Sequence, residues 1–248
     1  MNIIQSICLF LLPSPLNRLI FRRSKSVIIS PKAKIGFSFI RCNELKLGNN
    51  AKIGHLNFIK ITGGVIMKAD ASIHHLNFIK GDFQLQLENG AWINNQNKIS
   101  SISHSYHKIY LKLGEKAAIG VNHLLDMTDS ISIGDYSMLA GAQTQIWTHS
   151  FFFSKNSSRF ARLDASVSIG KHCYIGSRCC ILSGVRIDDA ITIGAQTCIS
   201  KSLSKQGLYV SQGIRFLEFD PDKRMNEFGE PVDNTFIYNK DAEEHSSN

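Results

Sequence analysis

The sequence predicts an all-β fold, a parallel β-helix, from three observations. The string HLNFIK occurs twice, at residues 55–60 and 75–80, twenty residues apart. Two aliphatic registers share that step: Leu47, Met67, Leu87, Leu113 and Ile133, and Ile53, Ile73, Ile93, Ile119 and Leu139, each broken once by a step of 26. Towards the C-terminus the period tightens to six, through Ile169, Ile175, Ile181, Ile187, Ile193 and Ile199.

Each hexad reads as one short strand and one tight corner. The aliphatic points inward, and four residues later a small side chain (Ala51, Ala71, Ala91, Ala117, Ser137, Cys173, Cys179, Thr197) fits where the chain bends. Glycine often follows the aliphatic, as at Gly48, Gly54, Gly114, Gly120, Gly134, Gly170, Gly176 and Gly194, and is expected there for its tolerance of positive φ. Three hexads close a triangular coil of about eighteen residues, and coils stack at about 4.8 Å by parallel pairing. Twenty-residue coils then carry two extra residues at a corner. Asn57, Asn77 and Asn97 fall at one position of successive coils, which predicts an inward amide ladder. A six-residue period makes no constant face on an α-helix, and a sandwich would alternate every two residues between hairpin turns.

Two stretches leave the register, one at residues 98–110 and one at 150–166, where SFFFSKNSSRFARLD predicts a protruding loop. Loops leaving a rigid solenoid gather ligand contacts. Three segments follow: 1–29, apolar and basic; 30–215, the β-helix; and 216–248, acidic. Residues 218–248 hold nine carboxylates against Lys223, Arg224 and Lys240. Taking these from the totals of 20 and 28 leaves 11 acidic and 25 basic residues, a formal +14 for the body. Such a body suits phosphates, acidic saccharides or an anionic lipid surface. Its basic residues are scattered without a recognition motif, which argues against nucleic acid.

The apolar run from Ile3 to Leu12 is about half a bilayer span. Beyond Pro13 and Pro15, Leu16, Leu19, Ile20 and Phe21 share a helical face near Arg18, Arg22, Arg23 and Lys25. Two readings stay open: a segment resting on an anionic membrane, or a short helix capping the fold. Six cysteines show no CxxC pair and no metal-ligand spacing with histidine, which predicts reduced, buried thiols in a cytoplasmic protein and no metal.

The hexads, above all SIGKHCYIGSRCCILSGVRIDDAITIGAQTCISKSL, resemble the hexapeptide-repeat acyltransferases, which include maltose, galactoside and surface-polysaccharide O-acetyltransferases. The resemblance spans about residues 46–215. It implies a left-handed β-helix, a homotrimer with sites in the clefts between neighbours, and acetyl-CoA as donor. Carried over by position, it places Tyr174, Ser177, Ala195, Ser200, Lys201 and Arg215 beside coenzyme A, with Lys201 and Arg215 facing phosphate. The chain departs from the family pattern at Tyr174, where tryptophan is common, at Ser202, where an acid usually follows the lysine, and in lacking a proline-rich exit.

Upstream, GDYSMLAGAQTQIWTHS resembles the segment carrying the family's catalytic histidine, which puts that role on His149. An alcohol is a poor nucleophile at neutral pH, and a neutral imidazole (pKa about 6.5) can take its proton and return it to the leaving thiolate. In the preceding coil, IGVNHLLDMTDSISIGD resembles the acceptor segment, with Asn122 as the acceptor-binding amide and Asp126 and Asp129 competing for the acid beside the histidine. Asp129 lies twenty residues before His149, whereas Asp126 fits only with one residue inserted. The expected activity is O-acyl transfer to a sugar hydroxyl of a cell-surface polysaccharide or its precursor, in the cytoplasm. The alternatives are a non-enzymatic scaffold or saccharide-binding module and, more remotely, a γ-type carbonic anhydrase, which would need three zinc histidines in adjoining coils.

Overall fold

A computed structural model describes residues 3–101, 107–156 and 158–211. Its strands are two to five residues long and build three parallel sheets of eight, nine and eight strands, joined in rotation to form the faces of a solenoid. The first face runs from Val27–Ile29 to Arg186–Ile187, the second from Lys34–Ile35 to Gly207–Tyr209, and the third from Phe39–Arg41 to Cys198–Ile199. The chain is thus the parallel solenoid that the hexads predict, consistent with a left-handed β-helix.

Both aliphatic registers are vertical stacks. Leu47, Met67, Leu87, Leu113 and Ile133 pair coil to coil on the first face. Ile53, Ile73, Ile93, Ile119 and Leu139 do so on the second. All ten are buried, as are the eight small corner residues. Six residues separate Leu47 from Ile53 and Ile53 from Ile59, but eight separate Ile59 from Met67, so the two extra residues of each twenty-residue coil sit at the corner between the third and first faces.

The glycines after the aliphatics are there for a different reason from the one expected. None has positive φ; the left-handed residue comes two positions later, at Asn50, Leu56, Lys116, Asn122, Tyr136, His172, Arg178 and Gln196. What glycine provides is room. A Cβ on Gly48 would sit 2.6 Å from the Lys68 carbonyl carbon, and one on Gly176 would sit 2.7 Å from the Ala195 nitrogen. The next coil passes too close for any side chain.

The amide ladder forms. Asn77 Nδ2 donates to Asn57 Oδ1 (3.0 Å) and Asn97 Nδ2 to Asn77 Oδ1 (3.1 Å), and each oxygen also accepts the next asparagine's backbone N–H (2.9 Å). His123 takes the following rung: its N–H donates to Asn97 Oδ1 (2.8 Å), and its Nδ1 accepts the Thr144 N–H (3.0 Å).

Two insertion boundaries move. Lys98–Ser100 is a regular strand, held because Ile99 fills the core, so the first excursion begins after Ser100; residues 102–106 lie outside the described set. The second is a β-hairpin rather than a loop: His149–Phe153 pairs antiparallel with Phe160–Asp164 through five residue pairs. The thiols are only partly buried. Cys42, Cys173 and Cys179 are inside, but Cys198 is exposed and Cys180 half-buried, because both face outward on the third sheet. All six are free. Burial pushes the Cys42 thiol up to about 11.

At the N-terminus, helices α1 (Ile3–Leu11) and α2 (Ser14–Phe21) cap the first coil. Leu9 and Phe21 enter the core, and Ser14 Oγ accepts the Ile35 N–H (2.8 Å). That bond satisfies a donor which the sheet's open edge would leave unpaired.

Burial lowers the His123 pKa from 6.5 to about 4. Protonation would set a hydrogen on Nδ1 against the Thr144 N–H. A group whose folded pKa is depressed withdraws its stabilisation as pH falls below the unfolded value. Stability should therefore drop between pH 6.5 and about 4, by up to about 3 kcal/mol. His123→Asn, which extends the ladder with a group that does not titrate, should remove that component in urea melts at stepped pH. An unchanged pH dependence would count against it.

Candidate active site

The corner between the third and first faces collects every long excursion. From Ile99 to Leu113 the chain takes 14 residues, and from Ile146 to Ile169 it takes 23, where a plain corner such as Ile181 to Ile187 takes six. Parallel stacking holds each face to a nearly constant length, so long stretches of surplus chain leave at this edge and their side chains gather there.

His149 opens the hairpin at this edge. Its Nδ1 lies 2.8 Å from Asp126 Oδ2 and 3.2 Å from Thr128 Oγ1, with the side chain 11% exposed. Asp126 is buried and ringed by donors: the Thr148 N–H (3.0 Å) and Oγ1 (2.8 Å) at Oδ2, and Thr128 Oγ1 (2.8 Å) at Oδ1. An ionised carboxylate only accepts, so the donor-only surroundings require the hydrogen between His149 and Asp126 to sit on Nδ1. Among the described residues both hydrogen bonds of the ring are made at Nδ1, which leaves Nε2 turned away from Asp126 and Thr128. Trp147 and Phe151 stand edge-on to the imidazole, with ring centroids 6.1 and 5.3 Å away.

Asp129 does not reach this ring. Its Oδ1 approaches His107 Nε2 (3.2 Å), and its N–H donates to Thr148 Oγ1 (2.8 Å). A bulge explains the offset. The second-face strand Met138–Ala142 shifts register against Ala118–Val121, with Gly141 at φ 64°. Leu125 therefore pairs with Ile146, 21 residues on rather than twenty. Continuing that count puts Thr128 beneath His149 and Asp129 beneath Ser150.

The other sequence-derived residues divide between two edges of the third face. Ser200 and Lys201 follow the strand Cys198–Ile199 and lie exposed on His149's edge, two coils on. Asn122, Ser177 and Ala195 lie at the opposite edge, between the second and third faces. There Asn122 lines a cavity of about 500 Å³ with Gln143, Gln145, Arg178 and Cys180. Tyr174 points outward from the second face. One chain does not bring these groups together, and Arg215 lies outside the described residues. Thr128, Thr148 and Phe151 are additions that sequence reasoning missed; the signal for Thr148 was its place directly before the histidine. Among the described residues no group of three or more His, Cys, Asp or Glu side chains is placed to hold a metal.

No family model matches the chain, and no curated protein matches it in sequence. Solved structures with a similar fold include the hexapeptide-repeat-containing acetyltransferase VCA0836 from Vibrio cholerae, at 21% identity and a TM-score of 0.38. That match covers 44% of this chain and 61% of the other, less than two thirds of its length. The polySia-specific acetyltransferase NeuO is 12% identical over 90% of this chain and 99% of its own (TM-score 0.47). The polysialic acid O-acetyltransferase OatWY is 19% identical over 82% and 95% (TM-score 0.41). The likeness is one of fold.

Asp126→Ala would strand the Thr148 N–H and its hydroxyl neighbours, and should destabilise the chain by at least about 2 kcal/mol in urea unfolding. Asp129→Ala should cost clearly less. Equal losses would contradict the assignment of Asp126 as the hub.

Proposed function

We propose that the chain is an acyl-CoA-dependent O-acyltransferase that moves an acetyl group from acetyl-CoA to a sugar hydroxyl of a cell-surface polysaccharide or its precursor, in the cytoplasm. The observation that carries this reading is the 2.8 Å contact of His149 Nδ1 with buried Asp126, at the edge where the hairpin leaves the solenoid. Asp126 selects the tautomer and compensates the charge that develops when the ring takes a proton.

The step needs no covalent enzyme intermediate. The acceptor oxygen attacks the thioester carbonyl carbon while its proton passes to His149 Nε2. The tetrahedral intermediate then collapses, breaking the carbon–sulfur bond, and the proton goes to the departing thiolate. The products are an ester and free coenzyme A. Phe151 and Trp147 flank the imidazole and limit water, which would otherwise compete for the acyl group.

Coenzyme A is a co-substrate here. Exposed Lys201, two coils along His149's edge, has the charge for its phosphates, and Ser177 and Ala195 would meet the pantetheine from the other edge of a neighbouring copy. The division of these residues between two edges supports a homotrimer in which the His149 edge of one copy faces the Asn122 edge of the next. The formal +14 of residues 1–217 favours an acidic saccharide as acceptor.

Thiol release from acetyl-CoA, followed over a panel of saccharides, tests the reading. His149→Ala should lower kcat by about 10²–10⁴-fold with the fold intact. Full activity in that variant would overturn the mechanism, and no heat of coenzyme A binding in calorimetry would point instead to a scaffold.

A further inference from the structure

The two N-terminal helices are inside out. On α1 the exposed residues are Ile3, Ile4, Ile7, Phe10 and Leu11, a contiguous arc at 100° per residue, whereas the residues turned to the solenoid include Ser6, which is fully buried. On α2, Leu16, Leu19 and Ile20 face outward and Asn17 is fully buried, its Nδ2 donating to the Leu12 carbonyl (2.8 Å). Ile4 is 67% exposed and Leu11 and Leu19 are each 59% exposed. A helix that merely capped the solenoid would present the opposite polarity. Leu9 and Phe21 supply the buried capping contacts, whereas the outward aliphatics stay 46–67% exposed.

Charge identifies what covers them. No carboxylate precedes Glu44, while Arg18, Arg22, Arg23, Lys25, Lys32, Lys34 and Arg41 all lie in that stretch. Arg22, Arg23 and Lys25 are exposed directly after the apolar face of α2. Arg18 is half-buried, with Nη1 donating to the Ala33 carbonyl (3.3 Å). A nine-residue helix is only about 14 Å long, less than half the hydrocarbon thickness of a bilayer, and no described helix is long and apolar enough to cross one.

We infer that this end of the solenoid docks on an anionic phospholipid surface. The isoleucine and leucine side chains of both helices enter the boundary between headgroups and acyl chains, and Arg22, Arg23 and Lys25 meet the phosphates. The helices lie in the interface, and the coils extend away from it. A lipid-carried substrate would then be met at the surface, although the docking does not depend on the chemistry at His149.

The experiment is sedimentation of the full chain with vesicles of phosphatidylcholine alone or with part of it replaced by phosphatidylglycerol. The chain should pellet with the anionic vesicles and be released by salt. Ile4→Ser/Ile7→Ser/Leu11→Ser and Arg22→Glu/Arg23→Glu should each weaken binding at least about tenfold. Their thermal melts should match the wild type, because these side chains are exposed. Equal binding to both vesicle types, no binding, or binding insensitive to either variant would overturn the inference. So would an oligomer that the apolar variant dissociates in analytical ultracentrifugation, since the face would then be a contact between copies of the chain.

Discussion

Parallel stacking of one coil on the next is the constraint from which the rest of this molecule follows. Strand residues of the three faces sit over their counterparts a coil earlier, bonded through backbone N–H and carbonyl groups, so the first two sides of each coil have nearly constant length. The close approach that this demands explains the glycines, which leave space for the neighbouring coil. It also explains why the long excursions emerge at a single corner. His149, its carboxylate and the aromatic hairpin stand together at that edge, whereas the second face takes up no more than the single bulged residue at Gly141.

Polar groups inside the solenoid are arranged by the same stacking. A buried amide is costly unless each of its groups is bonded, and repetition solves this by letting every asparagine satisfy the next. The column passes from asparagine to His123 and Thr144 without a gap, so the histidine there is part of the scaffold. His149 differs in where it sits, not in what it is. At the corner its ring meets a carboxylate fixed by two threonines and keeps one nitrogen turned away from them. Nine histidines are present, and position in the coil separates the structural ring from the candidate base.

A solenoid also has ends, where stacking stops and sheet edges are left open. The N-terminal helices close the first coil, through Ser14 at the Ile35 N–H and through Leu9 and Phe21 in the core. The same two helices hold serine and asparagine inward and aliphatic side chains outward. One face answers the fold and the other answers something outside it, which is how a cap becomes a docking surface.

The six- and twenty-residue periods determined by themselves the parallel solenoid, its inward aliphatics, its asparagine ladder and the places where chain leaves the register. Those features depend on local repetition, and a period is visible in a linear string. The identity of the carboxylate beside His149 was not visible, because one bulged residue at Gly141 shifts the vertical register between coils. Counting along the chain favours Asp129, whereas stacking in space brings Asp126 to the ring. The same holds for the separation of Asn122, Ser177 and Ala195 from His149 and for the outward polarity of the helices. Each depends on which edge or face a residue occupies, and only the closed coil decides that.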